Sequence, residues 1–480
     1  MSHATPAAPA APARDADDFP SWMNPMLVKE LRQGVQSGAF AWTFILLHAG
    51  MFVLMTLWVL TFVADRDSPT DVHGFYRGIF WALFGVAAML VVPGRAAGSM
   101  AAERQGTALD LLRLTRLSST QIVLGKWLGT MAQVGLVTVS VLPYVVLQYF
   151  FGGLDVIADL MALAGVLMAA SVTTAGSVAM AKQSSILRGG LFLILGYAAV
   201  GFAVGTAGGF SLTLTPSGTL VGVAAVAAAL LTAVLLEYSA AAVAPAAENH
   251  AGRIRLLVLV AVALALGVGP ALGPGIDSLL ATAAATLVVA VATVEFTTNA
   301  SPVIALHAPF ARARLPGHLA AALFTPGWAT AVPFLLVATA PWLLLGSATG
   351  RLGETAVGLA ALLLPLPLLA LFPAGRQRWA AILLVHAASI ALYALGGAWL
   401  AMNSPAARQF PVLLPLPAFI ARYGAGMGAD EVSAIPALCT TAVCLVPLVP
   451  LWLYEMRALS GRLAAASGRR DASLPPRAAP

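Results

Sequence analysis

Long, uninterrupted runs of apolar residues constrain this chain more than any other feature of its sequence. Residues 39–63 and 218–244 are two examples, and each exceeds the about 20 residues that a helix needs to cross a bilayer. Backbone groups in lipid must pair within the chain, so such runs fold as helices. Of the 480 residues, 60% are hydrophobic and 10% are charged, whereas roughly a quarter are charged in a soluble domain. The sequence therefore predicts an all-α integral membrane protein.

Twelve runs are long enough to be transmembrane helices. The segment 411–422 is apolar but short and rich in proline, so we interpret it as interfacial or re-entrant. Residues 1–21 and 457–480 are rich in alanine, proline, serine or arginine and are predicted to be tails, the first disordered and the second cytoplasmic and mostly disordered. The predicted spans are 39–63, 78–98, 121–151, 157–180, 186–207, 218–244, 253–273, 277–298, 326–347, 356–374, 379–402 and 433–456.

The basic residues predict which side of the membrane each loop occupies. With the N-terminus in the cytoplasm, 21 of the 26 lysines and arginines fall in cytoplasmic segments. Lysine and arginine collect in cytoplasmic loops of membrane proteins, so the bias favours twelve spans with both termini inside. It also accounts for the net charge of +6 without a nucleic-acid partner. The five basic residues in segments assigned to the outside are Arg66, Arg77, Arg351, Arg408 and Arg422.

An amphipathic helix is predicted over residues 22–38, directly before the first span. Asn24 is suited to cap it, and Pro25 takes the first helical position, where no backbone donor is lost. Leu27, Val28, Leu31 and Val35 share one face, which is typical of a helix lying in the headgroup plane. The charged residues Lys29, Glu30 and Arg32 occupy the other face with Gln33 and Gln36.

A charged, amphipathic insert separates the second and third spans. Glu103 and Arg104 are predicted to begin a polar turn, and Gly106 allows the chain to bend. Leucines then alternate with charges, so that the apolar side chains can rest on the membrane edge. Ser118 and Gln121 have the spacing of a capping box that begins the third span, and Lys126 and Trp127 are suited to anchor that span at the interface. An amphipathic loop that merely lines the membrane remains an alternative interpretation.

The insert resembles the loop between the second and third spans of ABC-2-type transporter permeases. That family has the order E-R, G-T-L-x-L-L, T-P-L-S and G-K; here Ala108 is an insertion, and Arg116 replaces the usual proline. The segment N-P-x-L-x-K-E-L-R from Asn24 also resembles the start of these permeases, where it forms an elbow helix. The matching residues are Glu103, Arg104, Gly106, Thr107, Leu109, Leu111, Leu112, Thr115, Leu117, Ser118, Gly125 and Lys126.

The resemblance implies an ABC-2-type permease fold in residues 39–245, with the loop 99–120 coupling the spans to a separate ATPase subunit. Within the loop, it assigns the ATPase contact to Glu103, Arg104, Gly106, Thr107, Leu109, Leu111, Leu112, Arg113 and Thr115. The implied protein is the permease of an exporter in a bacterial inner membrane. Residues 246–456 form a second six-span half, whose loop 299–325 is expected to be a degenerate contact. The chain is then either a pseudo-dimer or one partner of a homodimer.

The chain has no nucleotide-binding motif of its own. A P-loop requires a lysine in G-x-x-x-x-G-K-[ST], and none of Lys29, Lys126 and Lys182 has that context. We therefore expect no catalytic, cofactor-binding or metal-binding residues, with ATP and Mg on the partner ATPase. The alternatives are an ATPase-independent polytopic protein, such as a secondary carrier or a lipid-handling membrane enzyme, and a membrane protein with a structural or assembly role. An ion-coupled carrier usually has carboxylates near mid-membrane, and the sequence places none clearly there.

Overall fold

The computed structural model describes residues 25–64, 71–105, 117–150, 156–180, 218–245, 247–297, 303–312, 314–348, 446 and 448–473. These residues form helices and connecting turns, without any strand among them. The chain divides into two compact units, Met1–Thr213 and Leu214–Pro480. Seven described helices are long and apolar enough to cross a membrane, which agrees with the predicted class. The predicted spans 186–207, 356–374 and 379–402 and the segment 411–422 lie outside the described residues.

The first unit contains a short helix followed by long apolar helices. Four of its spans agree with predicted ones: Gly38–Thr61, Phe75–Ser99, Ser119–Gln148 and Asp159–Ala179. Its helices are α1 (Pro25–Val35), α2 (Gly38–Ala64), α3 (Asp71–Val86), α4 (Val92–Gln105), α5 (Ser119–Phe150) and α6 (Val156–Ala179).

The span Phe75–Ser99 contains a π-helical turn at Ala87–Val91, which joins α3 to α4. Pro93 is the second residue of α4 and so lies in its first turn. A proline inside a helix lacks a backbone donor, and its ring collides with the carbonyl four residues earlier. A wider turn before the proline relieves that collision, which explains why the irregularity falls at this position.

Large aromatic residues form the interior of the first unit. Trp58, Phe80, Trp81 and Phe84 are almost wholly buried. The opposite side of α2 exposes large apolar side chains, such as Trp42 at 65% and Phe52 at 67%. A soluble protein rarely leaves so large an apolar face uncovered, whereas lipid chains cover it without cost.

Charged residues in the first unit collect at two opposite levels of the bundle. Arg77 near the start of α3 donates to Asp159 on α6 at 2.6 Å. Arg95, roughly 27 Å further along the same span at 1.5 Å per residue, lies near the level of Glu30 and Lys126. Arg77 and Asp159 both lie near the N-terminal ends of their helices, so α3 and α6 run in the same direction.

The second unit also combines long spans with one short helix. Between the helices His250–Leu272 and Pro274–Thr297, Gly273 adopts φ +100°, which suits glycine. The apolar segment Ala283–Phe296, which lies within the helix Pro274–Thr297, is shorter than the seven spans. The helices are α7 (Gly218–Val243), α8 (His250–Leu272), α9 (Pro274–Thr297), α10 (Arg314–Phe324), α11 (Trp328–Ala348) and α12 (Leu448–Ser473).

Two segments of the second unit that lie outside the predicted spans contain helical residues. The residues 457–480 were expected to be mostly disordered, but α12 continues to Ser473. Leu459 and Leu463, one turn apart, pack on Ala321 and Ala322 of α10 and so stabilise the helix. The loop 299–325 is expected to be a degenerate contact; its described residues form 3-10 turns at Ile304–His307 and Phe310–Arg312 and then α10.

His307 is the buried titratable residue of these turns. Its Nδ1 lies 3.1 Å from the Val303 carbonyl, and its side chain is nearly inaccessible to solvent. Burial lowers the pKa of His307, and the positive charge of Arg462 on α12 acts in the same direction. The junction between these turns and α12 therefore favours a neutral histidine.

Candidate functional site

The ends of α4 and α5 carry the loop that the sequence singled out. Glu103 and Arg104 lie in the last turn of α4, which ends at Gln105. The prediction that they begin a turn was therefore wrong, because the helix extends beyond the apolar run that defined the span. The other predicted contact residues lie outside the described residues; they are Gly106, Thr107, Leu109, Leu111, Leu112, Arg113 and Thr115.

A capping box begins α5, as predicted. The Ser118 backbone N–H donates to Gln121 Oε1 at 3.0 Å, and the Gln121 N–H donates to Ser118 Oγ at 3.3 Å. Each side chain thus satisfies a backbone donor that the first turn of a helix leaves unpaired. The point at which the loop returns to the membrane is therefore well defined.

Helix α1 packs closely along the first turns of α5. Two glycines one turn apart on α5 allow the approach. A methyl group at Gly125 would lie 2.7 Å from Met26 Cβ, and one at Gly129 would lie 2.7 Å from Glu30 Cβ. Small residues at this spacing let two helix backbones approach each other. Met26 is consequently buried, although α1 precedes the first span.

A buried ion pair lies at this junction. Lys126 Nζ on α5 donates to Glu30 Oε1 on α1 at 2.8 Å and to Ser99 Oγ on α4 at 3.0 Å. The Lys126 side chain is 1% exposed and that of Glu30 is 12% exposed. A lysine is almost never fully buried unless it is paired. The pair therefore joins three helices at one point.

Arg95 forms a second link between the same helices. Its guanidinium donates to Ser37 Oγ at the junction of α1 and α2, and to the Gly34 carbonyl at 3.4 Å. It also donates to Gln133 Oε1 on α5 at 3.4 Å and lies 5.7 Å from the centre of the Phe40 ring. The Gly34 carbonyl also accepts from Ser37 Oγ at 2.7 Å, so Arg95 adds a second side-chain donor at the end of α1.

We define the α1–α4–α5 junction by Glu30, Arg95, Ser99, Lys126 and Gln133. Its polar groups pair with one another inside the protein. The described residues include no group of three or more histidine, cysteine, aspartate or glutamate side chains that could hold a metal ion. The arrangement can hold the two helices that flank the loop, and the short helix α1, in one fixed relation.

Several residues predicted for α1 occupy different surroundings from those expected. Pro25 is the first residue of α1, as predicted, and Asn24 lies outside the described residues. Arg32 is exposed and Lys29 partly buried. Glu30 was placed on the solvent face, but it contacts α5, because Gly129 leaves room for it.

Lys126 and Trp127, which were expected to anchor the third span at the interface, both contact neighbouring helices. Lys126 is buried against α1 and α4, and Trp127 Nε1 donates to the Ser171 carbonyl on α6 at 3.2 Å. Sequence reasoning gave Arg95 and Ser99 no role. One signal was available: Gly125 and Gly129 flank Lys126 in a G-x-x-x-G arrangement, which marks a close helix contact.

No family model, curated protein or solved structure matches this chain. The class of the protein therefore follows from its own structure. Its described part is a bundle of helices, seven of which are long and apolar enough to span a membrane. The chain is a helical membrane protein.

Proposed function

We propose that this chain is the membrane-spanning permease subunit of an ABC-2-type transporter. It forms the translocation path of an exporter in a bacterial inner membrane, with both termini in the cytoplasm. A separate ATPase chain binds ATP and Mg and delivers mechanical work to the loop 99–120. The proposal rests first on the resemblance of that loop, from Glu103 to Lys126, to the family pattern.

The structure of the loop's two flanks supports this proposal. A loop can transmit force only when the helices at its two ends do not yield. At the α1–α4–α5 junction, Lys126 binds Ser99 across the two flanking helices and Glu30 on α1. This buried junction, placed beside a charged loop, is the observation that carries the proposal.

The test is co-purification of the chain with a stand-alone P-loop ATPase encoded beside it. The test variant is Glu103→Lys/Arg104→Glu, which keeps the net charge and reverses the local pattern. We expect it to weaken association and the stimulated ATP turnover, while Arg312→Glu/Arg314→Glu leaves both nearly unchanged. Undiminished association and turnover in the first variant would remove the assigned role from the loop.

A further inference from the structure

We propose that Lys126 is a positioning residue, which holds α1 in a single register against α4 and α5. Under the proposed function, on which this inference rests, α1 and the loop then present one preformed surface to the ATPase. Lys126 itself does not touch the partner, because its side chain is buried. It acts through Glu30 and Ser99.

The charged side chain of Lys126 is buried. Taking a lysine out of water is unfavourable, and an apolar residue of similar size often serves stability as well or better. A buried pair of this kind is best known for fixing the register of packed helices. Lys126 has such a geometry, with an acceptor on each of two neighbouring helices.

The contacts between α1 and α5 repeat at a spacing of one helical turn. Gly125 and Gly129 lie one turn apart and accept Met26 and Glu30, which are also one turn apart. Sliding α1 by one turn would bring another pair of side chains over the same glycines. It would also move the Glu30 carboxylate about 5.4 Å from its position beside Lys126. Gly34, one turn further along α1, also fits closely against Gln133, so the packing and the ion pair favour the same register.

The residues of α4 that bind α1 and Lys126 lie close to the loop. Ser99 precedes Glu103 by four residues on α4, which is about 6 Å along the helix axis. Arg95, one turn before Ser99, holds the end of α1 through the Gly34 carbonyl. The residues that fix α1 are thus neighbours, on one helix, of the residues proposed to meet the ATPase.

The experiment compares the parent chain with Lys126→Met, Glu30→Gln and the exchange Glu30→Lys/Lys126→Glu. Spin labels at the exposed positions Gln33 and Leu124 report the distance between α1 and α5 in the purified full chain, without the partner. We expect one narrow distribution for the parent, a broad or shifted one for Lys126→Met and Glu30→Gln, and recovery in the exchange. If Lys126→Met does not fold, Glu30→Gln, which keeps the side-chain shape, supplies the same comparison.

The second readout is ATP turnover by the neighbouring ATPase in the reconstituted complex. We expect the single variants to lose at least about fivefold in stimulation, within the range of coupling between sites, and the exchange to recover it. A distance distribution unchanged by Lys126→Met would overturn the inference. So would a changed distribution with full stimulation, which would leave the transporter proposal intact. If the parent chain itself fails to bind the ATPase, the proposed function fails, and the distances still decide whether Lys126 sets the register.

Discussion

Each unit of the molecule buries a cation and a carboxylate near a short helix that leads into a long span. In the first unit the pair is Lys126 and Glu30, beside α1. In the second it is Arg255 and Glu295, beside α10. Both cations lie on spans, near ends that the sequence assigns to the cytoplasm. Because the two ion pairs have similar positions, their surroundings can be compared directly.

Arg255 is held mainly by backbone groups. It donates to the Leu323 carbonyl at 2.8 Å and to the Thr330 carbonyl at 3.1 Å, as well as to Glu295 at 3.0 Å. Glu295 in turn accepts the Gly327 N–H at 3.1 Å. Arg255 thereby caps the C-terminus of α10, and the turn before α11 closes around it.

Lys126, by contrast, binds the side chains of Glu30 and Ser99. A cation that binds backbone carbonyls depends on the fold of the turn that carries them. A contact between side chains can be exchanged by substitution while the backbone of the turn stays the same. We infer that Arg255 and Glu295 stabilise the fold of the second unit, whereas Lys126 and Glu30 set the position of α1. Substitutions whose effects on stability and on helix position can be measured separately therefore test this difference.

The largest effect is expected for Arg255→Met. It leaves Glu295 and several carbonyls buried without their donor, and removing one partner of a buried pair costs about 3–5 kcal/mol. We expect a large fall in the thermal unfolding temperature in detergent, or loss of the folded protein. Lys126→Met is the matched variant, and we expect it to cost clearly less, since Arg255 satisfies the Leu323 and Thr330 carbonyls in addition to Glu295. Equal losses would contradict the proposed difference.

The next effect concerns the contact between α1 and α5. Gly129→Ala places a methyl group 2.7 Å from Glu30 Cβ, so α1 must shift, at a cost of about 1–3 kcal/mol. Gly135→Ala on the same helix meets nothing within 4 Å, and removing a glycine from a helix there is expected to stabilise by up to about 1 kcal/mol. Thermal unfolding of the two variants, side by side, measures the difference. Similar shifts in the same direction would argue against close packing of α1.

A smaller effect is expected at the start of α5. Ser118→Ala removes the acceptor for the Gln121 N–H and should lower stability by about 1 kcal/mol. Gln121→Ala removes the reciprocal bond. Because the two side chains act together, the double variant should lose less than the sum of the single losses. Strictly additive losses would show that the two bonds do not form a unit.

The smallest effect is a pH dependence at His307. Its pKa is lowered in the folded protein, so the unfolded chain binds more protons in the window between that lowered value and about 6.5. Stability should therefore fall as the pH drops below about 6.5 and level off below the folded pKa. His307→Gln should flatten this part of the profile. The comparison of unfolding temperatures between pH 7.5 and pH 5 tests it, and identical profiles would contradict it.

Hydropathy was sufficient to predict the class of fold and the approximate bounds of the described spans. Local chemistry was sufficient for the start of α1 at Pro25 and for the capping box at Ser118, since both depend on neighbouring residues. The partner of Lys126 could not be predicted, because a sequence does not state which helix faces a buried lysine. The glycines beside it indicated a contact but not its occupant.

The helical tail and the Arg255 site were missed for related reasons. Composition suggested disorder after residue 456, but alanine is a strong helix former, and Leu459 and Leu463 find a surface on α10. Arg255 was counted only as a cytoplasmic charge. Its role depends on carbonyls of residues about 70 positions away, which no local pattern specifies.

The central claim is that the loop between α4 and α5 faces the cytoplasm, where an ATPase can reach it. Its most direct test is a cysteine-free chain with a single Thr107→Cys substitution, probed with a membrane-impermeant maleimide. We predict labelling in inverted membrane vesicles, protection by the bound ATPase, and no labelling from outside intact cells. Labelling from outside, or none in either orientation, would contradict the account.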